Sequence, residues 1–515
     1  MTRIPRWLIV FLVVGAVGAG LLAVPPGAGG DKITATPAYA AATAPPAGEA
    51  ADSRVHAGDP FARVFLVLAL LLICAMLGRF GAQKLKQSPV LGELAVGLII
   101  GALAYQLAAP TVTILRHSDQ VSIATQKVLH DNVAWKEAIS LTLAEAKLSA
   151  EEKRQIEDAV ESQNFPQYLL LARILNFFSS FGVVLLLFMA GLETDLDQLK
   201  RSGRTVAGLG LVEVGLTFIC CYLVVWLLLP SGRDPTIPLV LAGALSATSV
   251  GISARVFKDM RKLGLSEARI VLGAAVLDDI LSLIILAVVI GVLTTGAMAW
   301  SSITLIVLKA VLFFVAVAWL GSTFLKKGIA FFRLLAPGQV KLYFSFGLLL
   351  ILAWLADLLG LATIIGAFAA GLIIDDKSFE SERGSSEKEP PVESLLAPLE
   401  KVFAPLFFVL LGFQADVTAF ANPRVLAVGL LLTLVAIFGK MAATVVLKRG
   451  YHKLVVGFGL VPRGEVTLIF ASLGKSIGIL STSLYSVLII VVLLTTLATP
   501  PCLKWALERK GEASA

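Results

Sequence analysis

Apolar runs long enough to cross a lipid bilayer follow one another along most of this chain, and they leave it few folds. A helix needs about 20 mainly apolar residues to span the hydrocarbon core. Of the 515 residues, 57% are hydrophobic and 15% are charged, which excludes an ordinary soluble domain. The sequence therefore predicts an all-α polytopic membrane protein.

About thirteen transmembrane helices are predicted, and they are numbered here as spans in chain order. Their approximate limits are 61–80, 89–106, 172–192, 205–229, 238–257, 269–292, 301–322, 341–358, 361–374, 400–414, 424–447, 454–474 and 481–503. The ninth and tenth spans are shorter than a straight span requires.

Lysine and arginine set the predicted orientation. If the first span begins on the outer side of the membrane, the inner loops and the carboxyl tail carry 25 Lys or Arg residues and the short outer loops carry three. Cytoplasmic loops carry such an excess. The carboxyl end is therefore predicted to lie inside, with residues 504–515 as a short cytoplasmic tail.

Three further segments lie outside the regular alternation of spans and short loops. Residues 1–40 combine two arginines, an apolar stretch and small residues, which predicts a secretory signal or an uncleaved extra span. Residues 107–171 form a polar extracytoplasmic insertion with two helical stretches, one of them at 150–162 after a capping box. Surface decoration is the favoured view of it, and a regulatory or partner-binding role stays open. Residues 375–400 read as a flexible cytoplasmic linker.

Two short motifs recur in the two halves of the chain. GLETD at 191–195 resembles GFQAD at 412–416, and GLII at 97–100 recurs at 371–374. Each pair is an odd number of spans apart, so the halves would lie oppositely in the membrane. Inverted repeats of this kind are a common plan of secondary transporters.

Asp278 and Asp279 lie near the centre of the sixth predicted span. Ionised and unpaired there, the two carboxylates would cost roughly 5–7 kcal/mol on insertion scales. Buried acids in a span indicate an ion or proton path.

Breaks in two spans are predicted to lie beside these acids. Pro462 and the following glycine would interrupt the twelfth span, and Thr248 and Ser249 lie in the fifth. Unwound backbone is tolerated in a membrane where it is buried or lines a cavity. It would offer carbonyl and hydroxyl oxygens to a cation, although Thr248 and Ser249 fit ordinary helix packing equally well.

Further charges lie in the predicted spans. Lys440 is a candidate charge partner of the acids, and snorkelling to the interface is its alternative. Arg463 and Glu465 are candidates for structural or gating bridges. Glu213 and Lys309 are assigned no more than packing or a local pair.

Five motifs, in order, resemble the cation:proton antiporter-2 family, which contains bacterial sodium/proton antiporters and the membrane domains of Kef-type potassium efflux systems. The resemblance covers residues 61–503. The matching stretches are SPVLGEL at 88–94, LFMAGLETD at 187–195, ATSVG at 247–251, LDD at 277–279 and PRGE at 462–465.

This resemblance implies a homodimer in the bacterial inner membrane, each protomer having a six-helix core with two crossed, discontinuous helices. It implies that Asp279 binds the transported ion and proton and that Asp278 pairs with Lys440. Kef-type systems usually have Gln-Asp at this position and a soluble nucleotide-binding tail. The Asp-Asp pair and the short tail therefore favour sodium/proton exchange.

The predicted function is antiport of a monovalent cation, Na⁺ first, against protons by alternating access, with Asp278, Asp279, Thr248 and Ser249 as ion ligands. A K⁺/H⁺ antiporter or Kef-like efflux protein is the alternative. A cation channel or a sodium-coupled symporter is a more distant one. We expect no enzymatic activity, no cofactor and no nucleic-acid partner.

Overall fold

The computed structural model describes most of the chain from residue 60 onwards. The described residues are 60–85, 87–106, 110–131, 134–145, 150–162, 164–193, 203–228, 235–262, 265–295, 300–335, 339–379, 390–415, 418–448 and 450–514. The signal-like segment at 1–40 lies outside them.

The described part is helical, with a few short 3₁₀ turns and loops between the helices. The α-helices are α1 (Pro60–Lys84), α2 (Pro89–Gln106), α3 (Pro110–Arg116), α4 (Ser118–Asp131), α5 (Trp135–Glu145), α6 (Ala150–Glu161), α7 (Phe165–Glu193), α8 (Gly203–Leu228), α9 (Thr236–Ser246), α10 (Val250–Asp259), α11 (Ser266–Thr295), α12 (Trp300–Leu335), α13 (Val340–Leu358), α14 (Thr363–Ile373), α15 (Val392–Gln414), α16 (Pro423–Ala443), α17 (Lys453–Gly459), α18 (Glu465–Ser476) and α19 (Thr482–Ser514).

Eight of these helices are long and apolar enough to cross a membrane, and five shorter helices in the described part are also apolar. Together they fall one in each of the predicted spans. The all-helical membrane class is therefore confirmed, whereas the count of thirteen stays a prediction.

The helix bounds differ from the predicted spans at several places. The fifth and twelfth spans are each two helices, α9 with α10 and α17 with α18. The seventh runs on as α12 to Leu335, and α19 continues to Ser514 through the predicted tail. Because α15 begins at Val392 and a 3₁₀ turn covers Asp376–Phe379, less of 375–400 is left for a linker, and 380–389 lies outside the described residues.

The helices pack in two groups. The first, called the scaffold here, comprises α1, α2, α7, α13, α14 and α15, which contact one another. The second, called the core here, comprises α8 to α11 and α16 to α19. Helix α12 contacts α11 of the core and both α13 and α14 of the scaffold, and so connects the two groups.

The four repeated motifs supply two close helix contacts of the scaffold. Gly97 of α2 faces Gly412 of α15, and Gly191 of α7 faces Gly371 of α14. A Cβ atom on any of these glycines would lie between 2.1 and 2.5 Å from a carbonyl oxygen of the facing helix. Two equivalent glycine contacts are what an inverted repeat would produce, and they support that prediction.

The insertion at 107–171 folds as four helices, α3 to α6, where two helical stretches were predicted. The helix predicted at 150–162 is confirmed as α6. Apolar side chains of the insertion share one hydrophobic cluster with α1, α2, α7 and α15. Surface decoration, the favoured view from the sequence, does not describe this packing.

Candidate functional site

Lys440 lies in the interior of the core, where its side chain is fully buried. Its ammonium group donates hydrogen bonds to a carboxylate oxygen of Glu213 on α8 and to the main-chain carbonyl of Ser246. A third bond, of 3.2 Å, reaches Oδ2 of Asp278 on α11. This burial rules out the alternative in which Lys440 snorkels to the interface.

A helix end and two acids together make a buried ammonium group tolerable here. Ser246 is the last residue of α9, so its carbonyl has no partner within that helix and carries part of the negative end of the helix dipole. Glu213 and Asp278 are both fully buried and supply opposite charge. A buried charge is stable in protein when it is paired and hydrogen-bonded in this way.

The two adjacent aspartates have different surroundings. Asp278 accepts a hydrogen bond of 2.9 Å from Ser282 on Oδ1 and bonds Lys440 through Oδ2, so both of its oxygens are engaged. Asp279 is partly buried. Successive residues of an α-helix point about 100° apart, because the helix has 3.6 residues per turn. Asp278 is therefore held by the core, and Asp279 faces a different direction.

The two interruptions lie directly against each other. Residues 247–249 separate α9 from α10, and residues 460–464 separate α17 from α18. The main-chain nitrogen of Ser249 donates a hydrogen bond of 2.9 Å to the carbonyl of Pro462. The Thr248 hydroxyl donates one of 3.3 Å to the carbonyl of Leu460. The predicted break at Pro462 is thus present, and it adjoins Thr248 and Ser249.

Hydroxyl groups satisfy further carbonyls on either side of the interruptions. Ser253 of α10 donates to the carbonyl of Gly459, and Thr467 of α18 donates to that of Ala244 over 2.8 Å. Both bonds join the broken span of one half to the broken span of the other. They fix the two breaks relative to each other, beside Lys440 and Asp278.

Arg463 brings a second fully buried cation to this region. Its Nη1 donates a hydrogen bond of 3.4 Å to the carbonyl of Leu460. In the described part of the chain, its Nε and Nη2 have no hydrogen-bond partner. The Glu465 side chain lies outside the described residues, so the bridge predicted between Arg463 and Glu465 stays a prediction.

Five charged side chains of the core are called the charge cluster here: Glu213, Asp278, Lys440 and Arg463, which are fully buried, and Asp279, which is partly buried. Three acids and two bases leave one negative charge in excess when every group is ionised. One proton or one monovalent cation is enough to neutralise the cluster. A cluster with this charge can hold either of them in turn.

Glu213 is the site residue that the sequence did not identify as functional. It was given only packing or a local pair, yet it bonds the central ammonium group of the cluster. Its second oxygen, Oε1, has no hydrogen-bond partner among the described residues. A carboxylate inside an apolar run was the available signal, since a pair of carboxylates inside another apolar run had identified Asp278 and Asp279. Lys309, by contrast, is exposed on α12.

A family model named "Sodium/hydrogen exchanger, transmembrane" matches residues 67–509. The chain belongs to this family. The match spans the core, the scaffold and the insertion together. The resemblance to cation:proton antiporters that the five motifs predicted is confirmed.

Two curated relatives agree with this assignment. The high-affinity Na⁺/H⁺ antiporter NhaS3 of Synechocystis is 32% identical over 463 residues, which cover 88% of this chain and 92% of that protein. The Na⁺/H⁺-K⁺ antiporter GerN of Bacillus cereus is 34% identical over 352 residues, covering 66% of this chain and 86% of GerN.

A solved structure shows the same fold. The sodium proton antiporter MjNhaP1 from Methanocaldococcus jannaschii at pH 8 superposes with a TM-score of 0.58 and 16% identity, covering 86% of this chain and 99% of that one. By its family and these relatives, the protein is a membrane transporter of the cation/proton antiport class.

Proposed function

We propose that this protein exchanges Na⁺ for protons by alternating access, and that the buried charge cluster is the place of exchange. The observation that carries the proposal is the position of Asp278 and Lys440. They form an ion pair next to two interrupted helices, in the fully buried interior of the core. Transporters commonly bind substrate near the midplane at discontinuous helices.

Asp279 is the proposed carrier of the exchanged ion. Both oxygens of Asp278 are engaged by Ser282 and Lys440, whereas Asp279 points another way from the same helix. Proton and Na⁺ would compete for the Asp279 carboxylate, and competition at a single site is sufficient for exchange. The hydroxyls of Thr248 and Ser249 are proposed to complete the oxygen ligands of the cation.

Lys440 would set the coupling ratio. Its ammonium group is held by Asp278, and a cation that draws Asp278 towards itself weakens that hold. If Lys440 then releases its proton, two protons cross for each sodium ion and the exchange moves net charge. Arg463, Pro462 and Glu465 would hold the second interruption in place during this step.

The proposed movement is that of the core against the scaffold, with the two interrupted helices crossing at the site. The protein would work as a homodimer in the bacterial inner membrane, with its carboxyl end in the cytoplasm. The thirteen predicted spans would place the carboxyl end inside, in agreement with this orientation. The paired glycine contacts of the scaffold support the repeat.

Potassium is the second candidate cation. Oxygen ligands bind Na⁺ and K⁺ alike, and the relative GerN is named as a Na⁺/H⁺-K⁺ antiporter. A K⁺/H⁺ antiporter or a Kef-like efflux protein would use the same cluster. A channel would pass current without proton coupling, and a sodium-coupled symporter would depend on an added organic solute.

Purified protein in proteoliposomes tests the proposal. A Na⁺ gradient should drive proton movement that a pH dye reports, with no organic solute present. The same gradient of K⁺ should drive it less. Cation current without a pH change would contradict antiport, and a response that requires an organic solute would indicate symport.

A further inference from the structure

The extracytoplasmic insertion reaches the carboxyl end of α15 and closes over it. All of α3 from Thr111 to Arg116 is buried, although α3 belongs to a segment predicted as a polar loop. Nη2 of Arg116 donates a hydrogen bond of 2.7 Å to the carbonyl of Ala415, immediately after α15. The Arg116 guanidinium also lies 3.9 Å from the centre of the Tyr105 ring.

The core holds the same helix end from the other side. Lys475, in the last turn of α18, donates a hydrogen bond of 2.6 Å to the carbonyl of Gln414. The hydroxyl of Tyr485 on α19 donates one of 2.8 Å to the carbonyl of Leu411. Lys475 and Arg116 are only 3% and 2% exposed, so water does not screen these contacts strongly. Cations suit this position because the carboxyl end of a helix carries partial negative charge.

His117 lies beside both cations. Burial, with Lys475 and Arg116 nearby, lowers the pKa of His117 to about 3. The imidazole is therefore neutral in this conformation near pH 7. It adds no third positive charge to the helix end.

A cavity of about 500 Å³ adjoins this contact, since Gln414 forms part of its wall. The insertion supplies Ile114, Val121 and Thr125 to its wall, and the core supplies Leu286 and Ile469. The scaffold supplies several polar side chains: Asn176, Ser179, Ser180, Thr363 and Gln414. Leu286 is seven residues after Asp279 on α11, about 10 Å along the helix axis at ~1.5 Å per residue. The cavity is thus on the outer side of the charge cluster.

We propose that Arg116 and Lys475 form an outer latch, which holds the core against the scaffold in the state whose outer side is closed. Arg116 positions the carboxyl end of α15, and Lys475 binds the Gln414 carbonyl from the core. The latch rests on the proposed function in one respect, namely that the core moves against the scaffold. When the core moves to the outward-open state, the hydrogen bond from Lys475 to the Gln414 carbonyl has to break.

The latch gives the insertion a part in the transport cycle. Arg116 does not touch the transported ion and acts through α15, so it is a positioning residue. Loss of the hydrogen bond from Arg116 frees the carboxyl end of α15, to which Lys475 binds. The outward-open state then becomes more populated, and the cavity wall becomes accessible from outside.

Thiol labelling from the outer side tests the latch without measuring transport. Val183 lines the cavity from α7 and is 6% exposed, so Val183→Cys is the reporter. The same chain without this substitution gives the labelling background of its four native cysteines. A membrane-impermeant maleimide should modify the reporter slowly in the otherwise unchanged protein in proteoliposomes.

Arg116→Gln should speed labelling of the reporter about tenfold, which corresponds to a shift of ~1.4 kcal/mol in the equilibrium. Arg116→Lys retains the positive charge and should restore much of the slow rate. Arg154→Gln changes an exposed arginine of the same insertion and should leave the rate unaltered. Lys475→Gln should act like Arg116→Gln and provides a second variant if the first fails to fold.

Equal labelling rates for Arg116→Gln, Lys475→Gln and the unchanged reporter protein would overturn the latch. Faster labelling in Arg154→Gln as well would point to general loosening and would overturn it too. These results are separable from the proposed function. Labelling reports on the latch and requires no coupled flux. Exchange in proteoliposomes reports on the proposed function, and its loss does not depend on the latch.

Discussion

Glu213 has a larger role in the charge cluster than its sequence context indicates. It is one of two carboxylates that hold the ammonium group of Lys440, and all three side chains are fully buried. The reason is spatial, because α8 and α16 are far apart in sequence and contact each other in the core. Such a pair becomes visible only when the fold brings the helices together.

Replacing Glu213 with glutamine tests this ion pair. The amide keeps the shape and removes the charge, so the free energy of unfolding should fall on the order of 1–3 kcal/mol, as for other hydrogen bonds to charged groups. Thermal unfolding in detergent measures the change. Glu393→Gln, an exposed acid of α15, is the control and should unfold at the parent temperature. An unchanged midpoint for Glu213→Gln would show that no charge pair is lost.

Lys440 carries the second prediction at this scale. Without its ammonium group, only the acids of the cluster are left to exchange protons, so Lys440→Ala should abolish the response of exchange to membrane voltage. Proteoliposomes with an imposed potassium–valinomycin potential provide the measurement. Lys309→Ala removes an exposed lysine from an apolar helix and should retain the response. Voltage-dependent exchange in Lys440→Ala would separate Lys440 from the coupling.

At the scale of helices, the contact between the two interruptions depends on a residue without a side chain. A Cβ atom on Gly464 would lie 2.6 Å from the Ser249 hydroxyl oxygen and 2.7 Å from its Cβ atom. The lack of space beside Ser249 therefore requires glycine here.

Gly464→Ala should consequently push the two interruptions apart and lower the rate of exchange at least tenfold. The protein should still enter the membrane, because the clash is local. Gly347→Ala is the matched control, since a Cβ atom there meets nothing within 4 Å. Full activity in Gly464→Ala, measured by sodium-driven proton flux, would mean that the close contact is dispensable.

The sequence located most helices because each is an apolar run, and length and hydropathy are local properties. The break in the twelfth span was also predictable, because Pro462 removes a main-chain donor. The break in the fifth span has no proline, and its sequence signals were Thr248 and Ser249, which fit ordinary helix packing equally well, and the resemblance to a family. The start of α15 was placed eight residues late because charged and small residues precede its apolar part.

The packing of the insertion lay beyond sequence reasoning for a different reason. Its helices are individually polar or mixed, which is typical of a surface segment. Their burial comes from contacts with α1, α2, α7 and α15, and α15 is distant in sequence. The pairing of Arg116 with Ala415 joins residues 299 positions apart. No local pattern contains that information.

At the scale of the molecule, the described part of the chain comprises a core with the charge cluster, a scaffold with paired glycine contacts, and an insertion that contacts both. Each part has a separate task in the proposed cycle. The cluster binds the ion or the proton, the scaffold provides the fixed surface, and the insertion closes the outer side. The account depends most on the cluster.

Neutralising Asp279 tests the role of the charge cluster most directly. Asp279→Asn retains the side chain's size but removes the charge for which proton and cation compete, and Asp357→Asn does the same to an exposed acid of α13. In proteoliposomes with a sodium gradient, proton flux should disappear in Asp279→Asn and persist in Asp357→Asn, with equal protein in both membranes. Parent-level flux in Asp279→Asn would contradict the proposed site.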